Sequence, residues 1–161
     1  MAFTFTTLKT AIQDYTENTE STFVSQLPRF ILNSEERILK ECQLDVFRKN
    51  STGTATSGNK FLTKPTDFLS PFSLSVSNSS NNILAPTPDS AYTAELHYFY
   101  RPTSITTSSD GTSWLGTNAE LALLYGALVE AYTFMKGEDS LLSLYNNRFL
   151  EAIQWLKILG E

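Results

Sequence analysis

Little in this chain is equipped for chemistry. Cys42 is the single cysteine, so no internal disulfide and no cysteine-based zinc site can form. On a helical pattern it reads as a buried structural thiol. His97 is the single histidine, and no His/Asp/Glu cluster around it has metal-ligand spacing. A lone histidine between Glu95 and Phe99 on a polar strand face reads as a surface residue. The G-x-S-x-G turn of a nucleophile elbow is missing. Gly53, Gly58, Gly111 and Gly116 stand isolated and do not make a phosphate-cradling G-x-x-x-x-G-K. Glycoside chemistry needs two carboxylates across a cleft. Only Glu95 and Asp89 offer themselves by default, and Asp89 in Pro-Asp-Ser reads as a turn residue. The expectation is no enzyme, no metal and no cofactor.

Other absences bear on location and partners. No apolar run approaches the roughly 18 residues of a membrane span, and residues 1–20 lack the basic start and apolar middle of a signal peptide. No membrane contact and cytoplasmic synthesis are expected. Basic charge is scarce too. Twelve Lys and Arg stand against seventeen Asp and Glu, a net charge of −5. The excess of acid lies in 1–44 and 117–161, and the middle is neutral. Without a basic stripe, Tyr98-Phe99-Tyr100-Arg101 makes a poor stacking platform for bases, and duplex DNA is repelled on average.

What is present is periodicity. Across Thr117–Leu159 it predicts two amphipathic helices. In the first, about 118–136, Leu121, Leu124, Tyr125, Leu128, Tyr132 and Met135 make one stripe. Thr117 and Glu120 have capping-box spacing, and Gly137 reads as the left-handed C′ residue. Glu138, Asp139 and Ser140 open the second helix. There Leu141, Leu144, Tyr145, Phe149, Ala152, Ile153, Leu156 and Leu159 recur in step, with Trp155 and Ile158 off the stripe. So short a connection makes the two helices antiparallel neighbours.

The amino-terminal part repeats this theme. Thr4 or Thr6 caps a helix with Leu8, Ile12 and Tyr15 on its apolar face, and the polar run Thr16–Thr22 ends it. A second helix is expected from about Ser25, which leaves Pro28 in its tolerated first turn. Leu27, Ile31, Ser34, Ile38 and Cys42 share one face. Glu35, Glu36, Arg37 and Lys40 read as the wet one, Glu36–Lys40 being an i,i+4 pair.

Between them, 24 of the 72 residues from Asp45 to Gly116 are Ser or Thr, which is strand and loop composition. Val46-Phe47 should open a strand that turns at Ser57-Gly58-Asn59 and returns along Lys60–Thr63. Phe72, Leu74 and Val76 alternate with serines, the period of a strand with one buried face. Ser77–Asn82 reads as a turn, Ile83-Leu84 as a further strand start, and Pro86-Thr87-Pro88-Asp89 as a rigid bend. Tyr92–Tyr100 is the clearest strand, ended by Pro102. Thr103–Ser113 has no periodicity and reads as a mobile loop. The expected class is α+β in one domain, 1–161: a four-helix bundle built from the terminal helix pairs (1–44 and 117–161), with an antiparallel β-subdomain inserted at 45–116. Phe3, Phe5, Phe47, Phe68, Phe99, Trp114 and Trp155 sit near element ends. They either fill gaps or anchor contacts with other chains.

Four segments carry a resemblance: Phe5-Thr6-Thr7-Leu8-Lys9-Thr10-Ala11-Ile12-Gln13-Asp14-Tyr15; Pro65-Thr66-Asp67-Phe68-Leu69; Ala85-Pro86-Thr87-Pro88-Asp89 followed by Glu95-Leu96-His97-Tyr98-Phe99-Tyr100-Arg101-Pro102; and Leu124-Tyr125-Gly126-Ala127-Leu128-Val129-Glu130-Ala131-Tyr132. In this order they resemble the head–tail adaptor, or connector (neck), proteins of tailed bacteriophages. The resemblance implies a helical bundle with a β insertion and a structural role in the virion at the head–tail junction. It also implies a homo-oligomeric ring, usually of twelve copies, under the portal protein. That ring carries the next tail component, a nozzle or tail-tube protein. By the same analogy Trp155, Leu156, Ile158 and Leu159 grip the portal. Glu120, Glu130 and Glu151 become candidates for lining a bore through which DNA passes without specific binding. Relatives usually have a longer excursion between the strand at Phe72–Val76 and Ile83. The competing class is a carbohydrate-binding or tail-decorating module, which predicts a ligand pocket on the Ser/Thr-rich β part. A third, a hydrolase, predicts a cleft with two perturbed carboxylates.

Overall fold

The computed structural model describes residues 2–59, 61–77 and 90–159. The segments expected as a turn after Ser77, as a strand start at Ile83-Leu84 and as the bend Pro86–Asp89 lie outside these residues. The protein is α+β, with five α-helices and a three-stranded antiparallel sheet among the described residues. It divides into two compact units, residues 1–43 with 102–161, and residues 44–101.

The first unit is helical. Helix α1 (Phe5–Thr16) starts at Thr4, whose side chain accepts the Thr7 N–H while Thr7 Oγ1 takes the Thr4 N–H, a reciprocal capping box. Leu8 and Ile12 are fully buried, whereas Tyr15 is half-exposed. Helix α2 (Ser21–Glu41) begins four residues before the expected Ser25. Pro28 therefore sits inside it, where it removes one i→i−4 hydrogen bond. Burial of Phe23, a turn ahead of Leu27, draws the helix back to Ser21. Leu27, Ile31, Ser34, Ile38 and Cys42 are all buried on one face, as their spacing requires. Glu35 departs from its expected wet face, being 4% exposed.

The next helix is split. A short α3 (Trp114–Asn118) is capped by Ser113, whose Oγ accepts the Gly116 N–H at 3.1 Å. Ala119, at φ −129° and ψ 37°, breaks the axis before α4 (Glu120–Met135). The expected Thr117–Glu120 capping box is not the cap used: Thr117 is already inside α3 and donates to the Ser113 carbonyl. Nor does Gly137 take the left-handed position. Lys136 does, at φ 54°, and the Gly137 N–H closes onto the Tyr132 carbonyl. Glycine is needed at 137 for space, since a Cβ there would meet the Tyr132 ring at 2.6 Å. Helix α5 (Asp139–Leu159) follows. Helix α4 packs against α1, α2 and α5, which explains why it is apolar nearly all round: Ala122, Leu123, Leu124, Ala127, Leu128 and Ala131 are buried together. Leu121, expected on its inward stripe, is instead 59% exposed.

The loop Thr103–Ser113 is tied down. Ile105 is fully buried and its N–H donates to Glu35 Oε1 at 3.0 Å. The Phe5 N–H donates to the Gly111 carbonyl at 2.7 Å, and Gly111 adopts φ 65° beside Asp110. The Asp110 carboxylate accepts from the Ser108 hydroxyl and the Thr112 N–H. These bonds hold its pKa down at about 2.

The second unit is the sheet, in the order β1 (Arg48–Ala55), β3 (Tyr92–Tyr100), β2 (Phe68–Ser77). The expected pairing of β1 with Lys60–Thr63 is replaced by a regular antiparallel ladder with β3, from Arg48↔Phe99 to Ala55↔Tyr92. The turn at Thr56–Asn59 does form, with Gly58 at φ 75° and the Asn59 N–H on the Thr56 carbonyl. The richer β-former, Tyr92–Tyr100, outcompetes the short return segment for the edge of β1. Val46-Phe47 is a 3₁₀ turn rather than strand. On its other side β3 pairs with β2 through two register shifts that bracket Pro71, where the missing N–H interrupts a straight ladder. Phe72 and Leu74 remain about half-exposed, so the period of two marks a strand here without a fully buried face.

Candidate functional site

Two surfaces deserve comparison as sites. In the sheet unit a cleft of about 450 Å³ lies among Ser51, Thr54, Leu62, Lys64, Leu74 and Leu96. Among the described residues its lining includes no aromatic ring and no carboxylate. The side chains with polar contacts converge elsewhere, on Asp67. That carboxylate accepts from Tyr98 Oη at 2.8 Å and Lys49 Nζ at 2.7 Å, and the Asp67 carbonyl takes the Arg101 N–H. The bond from Lys49, then that from Tyr98, hold the Asp67 pKa below the usual carboxylate value, and the Lys49 pKa is raised in return. Phe68 stacks on Tyr98 with ring centroids 5.8 Å apart. The Pro-x-Asp-Phe segment is thus a structural clasp: Asp67 joins β1 and β3, and Phe68 covers the clasp. Glu95 Oε1 accepts from Asn50 and lies 3.6 Å from His97 Nε2, both side chains being partly exposed. Asp89, the other carboxylate named from the sequence, lies outside the described residues.

The helical unit presents a different surface. Helix α5 turns Phe149, Ile153 and Leu156 inward, all at 3% exposure or less. On the other side Trp155 and Ile158 are 65% and 64% exposed. Beside Trp155 a hollow of about 290 Å³ is walled by Asn118, Ala119, Glu120, Leu121 and Ala152. The break at Ala119 makes this hollow, because it ends α3 and restarts α4 just where α5 passes. Exposed Leu121 adds to its rim. The result is an apolar patch of the kind that marks a protein interface.

Of the four residues expected to grip a partner, Trp155 and Ile158 face outward. Leu156 is built into the core, because it lies one turn beyond Ile153 on the inward stripe. Leu159 is the last residue of α5. The acidic candidates are dispersed. Glu130 accepts from Asn33 Nδ2 at 2.9 Å, Glu151 pairs with Arg148 at 3.1 Å, and Glu120 sits at the start of α4. Among the other aromatics singled out, Phe47 and Phe99 are buried gap-fillers at 2% and 5% exposure. Leu121 was missed as a surface residue because its spacing fits the inward stripe of α4.

Two further groups pack within this unit, Cys42 buried and Tyr145 half-buried. Cys42, 3% exposed, lies with Sγ 4.0 Å from the Ile153 carbonyl, and burial raises its pKa. Tyr145 packs against the rings of Tyr15, Tyr125 and Tyr132. Burial, then the Tyr132 hydrogen bond, push its pKa up to about 12. Among the described residues no group of three or more His, Cys, Asp or Glu could hold a metal ion, and no helix is long and apolar enough to cross a membrane.

A family model described as SU10 adaptor protein matches residues 75–157, just over half of the chain. No curated protein matches it.

Proposed function

We infer the role of this chain from its family: it belongs to the SU10 adaptor proteins, phage head–tail adaptors, and is accordingly a structural virion protein. We propose that several copies, twelve by analogy with related adaptors, form a ring under the portal protein, join the capsid vertex to the tail and let DNA pass. In this reading helices α1, α2, α4 and α5 act as a four-helix bundle that carries the portal-binding surface, and a nozzle or tail-tube protein binds the opposite side. The sheet unit meets neighbouring subunits or the tail.

The observation that carries this reading is the exposed pair Trp155 and Ile158 beside the hollow at Ala119 and Leu121. A large indole next to an unfilled apolar depression is the combination that interface hot spots use. Leu159 extends the same helix end and joins the proposed portal contact, while Leu156 supports it from inside. A ring of about twelve such chains carries roughly −60, and an acidic bore lined by Glu120, Glu130 or Glu151 keeps a duplex from adhering as it leaves. A neutral or basic bore in the assembled ring would overturn that last point.

The test is native mass spectrometry of the protein mixed with the portal protein from the same genome, with each alone as control. A stoichiometric multi-copy complex is the expected result, and it gives the copy number. A chain that ignores portal would refute the reading. The carbohydrate-binding alternative rests on the cleft in the sheet unit, which among the described residues offers neither ring nor carboxylate to a sugar, and glycan screening tests it.

A further inference from the structure

Helix α5 carries a second periodic stripe besides the inward one. Leu141, Leu144, Arg148, Glu151, Trp155 and Ile158 follow one another at alternating steps of three and four. That is the a/d spacing of a coiled-coil seam. Leu144, Trp155 and Ile158 are 48%, 65% and 64% exposed, and Leu141 is half-buried. Arg148 and Glu151 occupy the middle, both 56% exposed and joined at 3.1 Å. A seam with this spacing drifts by about 20° per heptad on a straight helix, which a shallow left-handed crossing corrects.

The order of residues along the seam is self-complementary. When a second α5 is laid antiparallel, with the two-fold axis between residues 149 and 150, Leu141 meets Ile158 of the second copy and Leu144 meets Trp155. Arg148 meets Glu151, and each pairing is repeated by symmetry. The two ends are apolar, and the centre becomes a ring of two guanidinium and two carboxylate groups with alternating charge. In a parallel pairing Arg148 faces Arg148 and Glu151 faces Glu151, a like-charge arrangement that costs stability. The flanking positions Ser140, Asn147 and Gln154 on α5 itself are uncharged; off the helix, Glu120 walls the hollow beside Trp155.

We propose that two copies of this chain associate in solution through the outer faces of α5, antiparallel and around a two-fold axis, before either meets another partner. The seam from Leu141 to Ile158 is about 26 Å long. Two helices of that length bury an area near the lower end for a specific contact, about 1,000 Å². The dimer is therefore weak and reversible, with dissociation in the micromolar range. It is an isologous, closed contact and covers Trp155 and Ile158. The inference rests on the face of α5 alone and not on the adaptor role, so either can fail without the other.

The experiment is sedimentation equilibrium of the full chain over a hundredfold range of concentration, for wild type and three charge variants. Wild type is expected to shift from monomer to dimer across the range. Glu151→Arg places four cations at the centre and Arg148→Glu four carboxylates, and each lowers association at least tenfold. The double variant R148E/E151R restores the dimer, because the swapped pair is again complementary. Register is read separately by mixing Leu141→Cys protein with Ile158→Cys protein under oxidation: the antiparallel seam links one of each. Circular dichroism confirms that every variant is folded. A wild type that stays monomeric at the highest concentration refutes the proposal. So does a dimer indifferent to either single substitution, a double variant that does not recover, or cross-links formed only within each cysteine variant.

Discussion

Gly126→Ala adds one methyl group on which two effects of opposite sign act. Gly126 lies in the interior of α4 and is not among the residues of positive φ. Alanine is the better helix former there by about 1 kcal/mol, so on an exposed face the substitution would stabilise. At this position the new Cβ would overlap Ser34 Oγ and stand 3.0 Å from Phe149 Cε2. Neither neighbour can yield cheaply, for Ser34 and Phe149 are 1% and 0% exposed. The Ser34 hydroxyl donates to the Leu123 carbonyl at 3.0 Å, and turning it away strands a buried hydroxyl at a cost of about 1–3 kcal/mol. If Ser34 stays, α2 and α5 must move off α4, and overpacking of that kind costs about 1–3 kcal/mol. Less the helix-propensity gain, the net loss is about 0–2 kcal/mol, a fall in Tm of up to about 8 °C for a chain of this size. Thermal and urea unfolding followed by far-UV circular dichroism measure it. Ser34→Ala in the same chain removes the overlapping oxygen, so the double variant should recover part of the loss and the two changes should not add. A Gly126→Ala protein more stable than wild type, or strict additivity with Ser34→Ala, would show that Ser34 does not set the distance between α2 and α4.

The remaining perturbations test separate parts of the structure. Thr4→Ala removes one half of the α1 capping box and should lower stability by about 1 kcal/mol in urea unfolding. Glu35 has its pKa raised chiefly by burial. The stability it contributes is complete below the ordinary carboxylate value and lost as pH rises through its raised folded value. Glu35→Gln should flatten that decline when unfolding is measured across pH 4 to 8, and a parallel decline in both proteins would discount Glu35 as its source. Asp67 is shifted the other way, so its contribution is present above the ordinary value and lost as pH falls through the depressed one. Tyr98→Phe removes one of its donors and should move the Asp67 titration upward when followed by carboxyl NMR. Trp155→Ala is expected to leave stability within about 0.5 kcal/mol of wild type while weakening any complex with portal.

The helices were legible because burial on one face repeats a local pattern. Leu27, Ile31, Ser34, Ile38 and Cys42 could be grouped from spacing alone, and Tyr92–Tyr100 from its β-formers. What spacing could not reveal was supplied by residues distant in the chain. Glu35 stands among charged neighbours and looks solvated; its burial depends on Ile105, seventy positions away, whose N–H needs an acceptor. The partner of β1 is equally non-local, since the nearest candidate in sequence lost to a strand four times farther along. Pro28 misled for a related reason: a proline rule about first turns yields when the core residue Phe23 extends the helix backwards. At the candidate interface, Trp155 and Ile158 were recognisable by falling off the stripe, whereas Leu156 and Leu121 exchanged roles.

That exchange has one physical origin. A helix with a single covered face has a single stripe, and distance from the stripe measures exposure. Helix α4 is covered by α1, α2 and α5, so its apolar positions are spread around the axis and no stripe identifies the exposed gap where Leu121 emerges. Helix α5 has the reverse arrangement: an inward stripe through Phe149, Ile153 and Leu156, and an outward one through Leu144, Trp155 and Ile158. The first is satisfied within the chain and the second is not. Large apolar side chains held in water at regular spacing weaken solubility and add nothing to the fold of the monomer. Contacts with other chains would account for their place on α5, and the two proposed contacts, portal and second copy, would compete for the same Trp155 and Ile158.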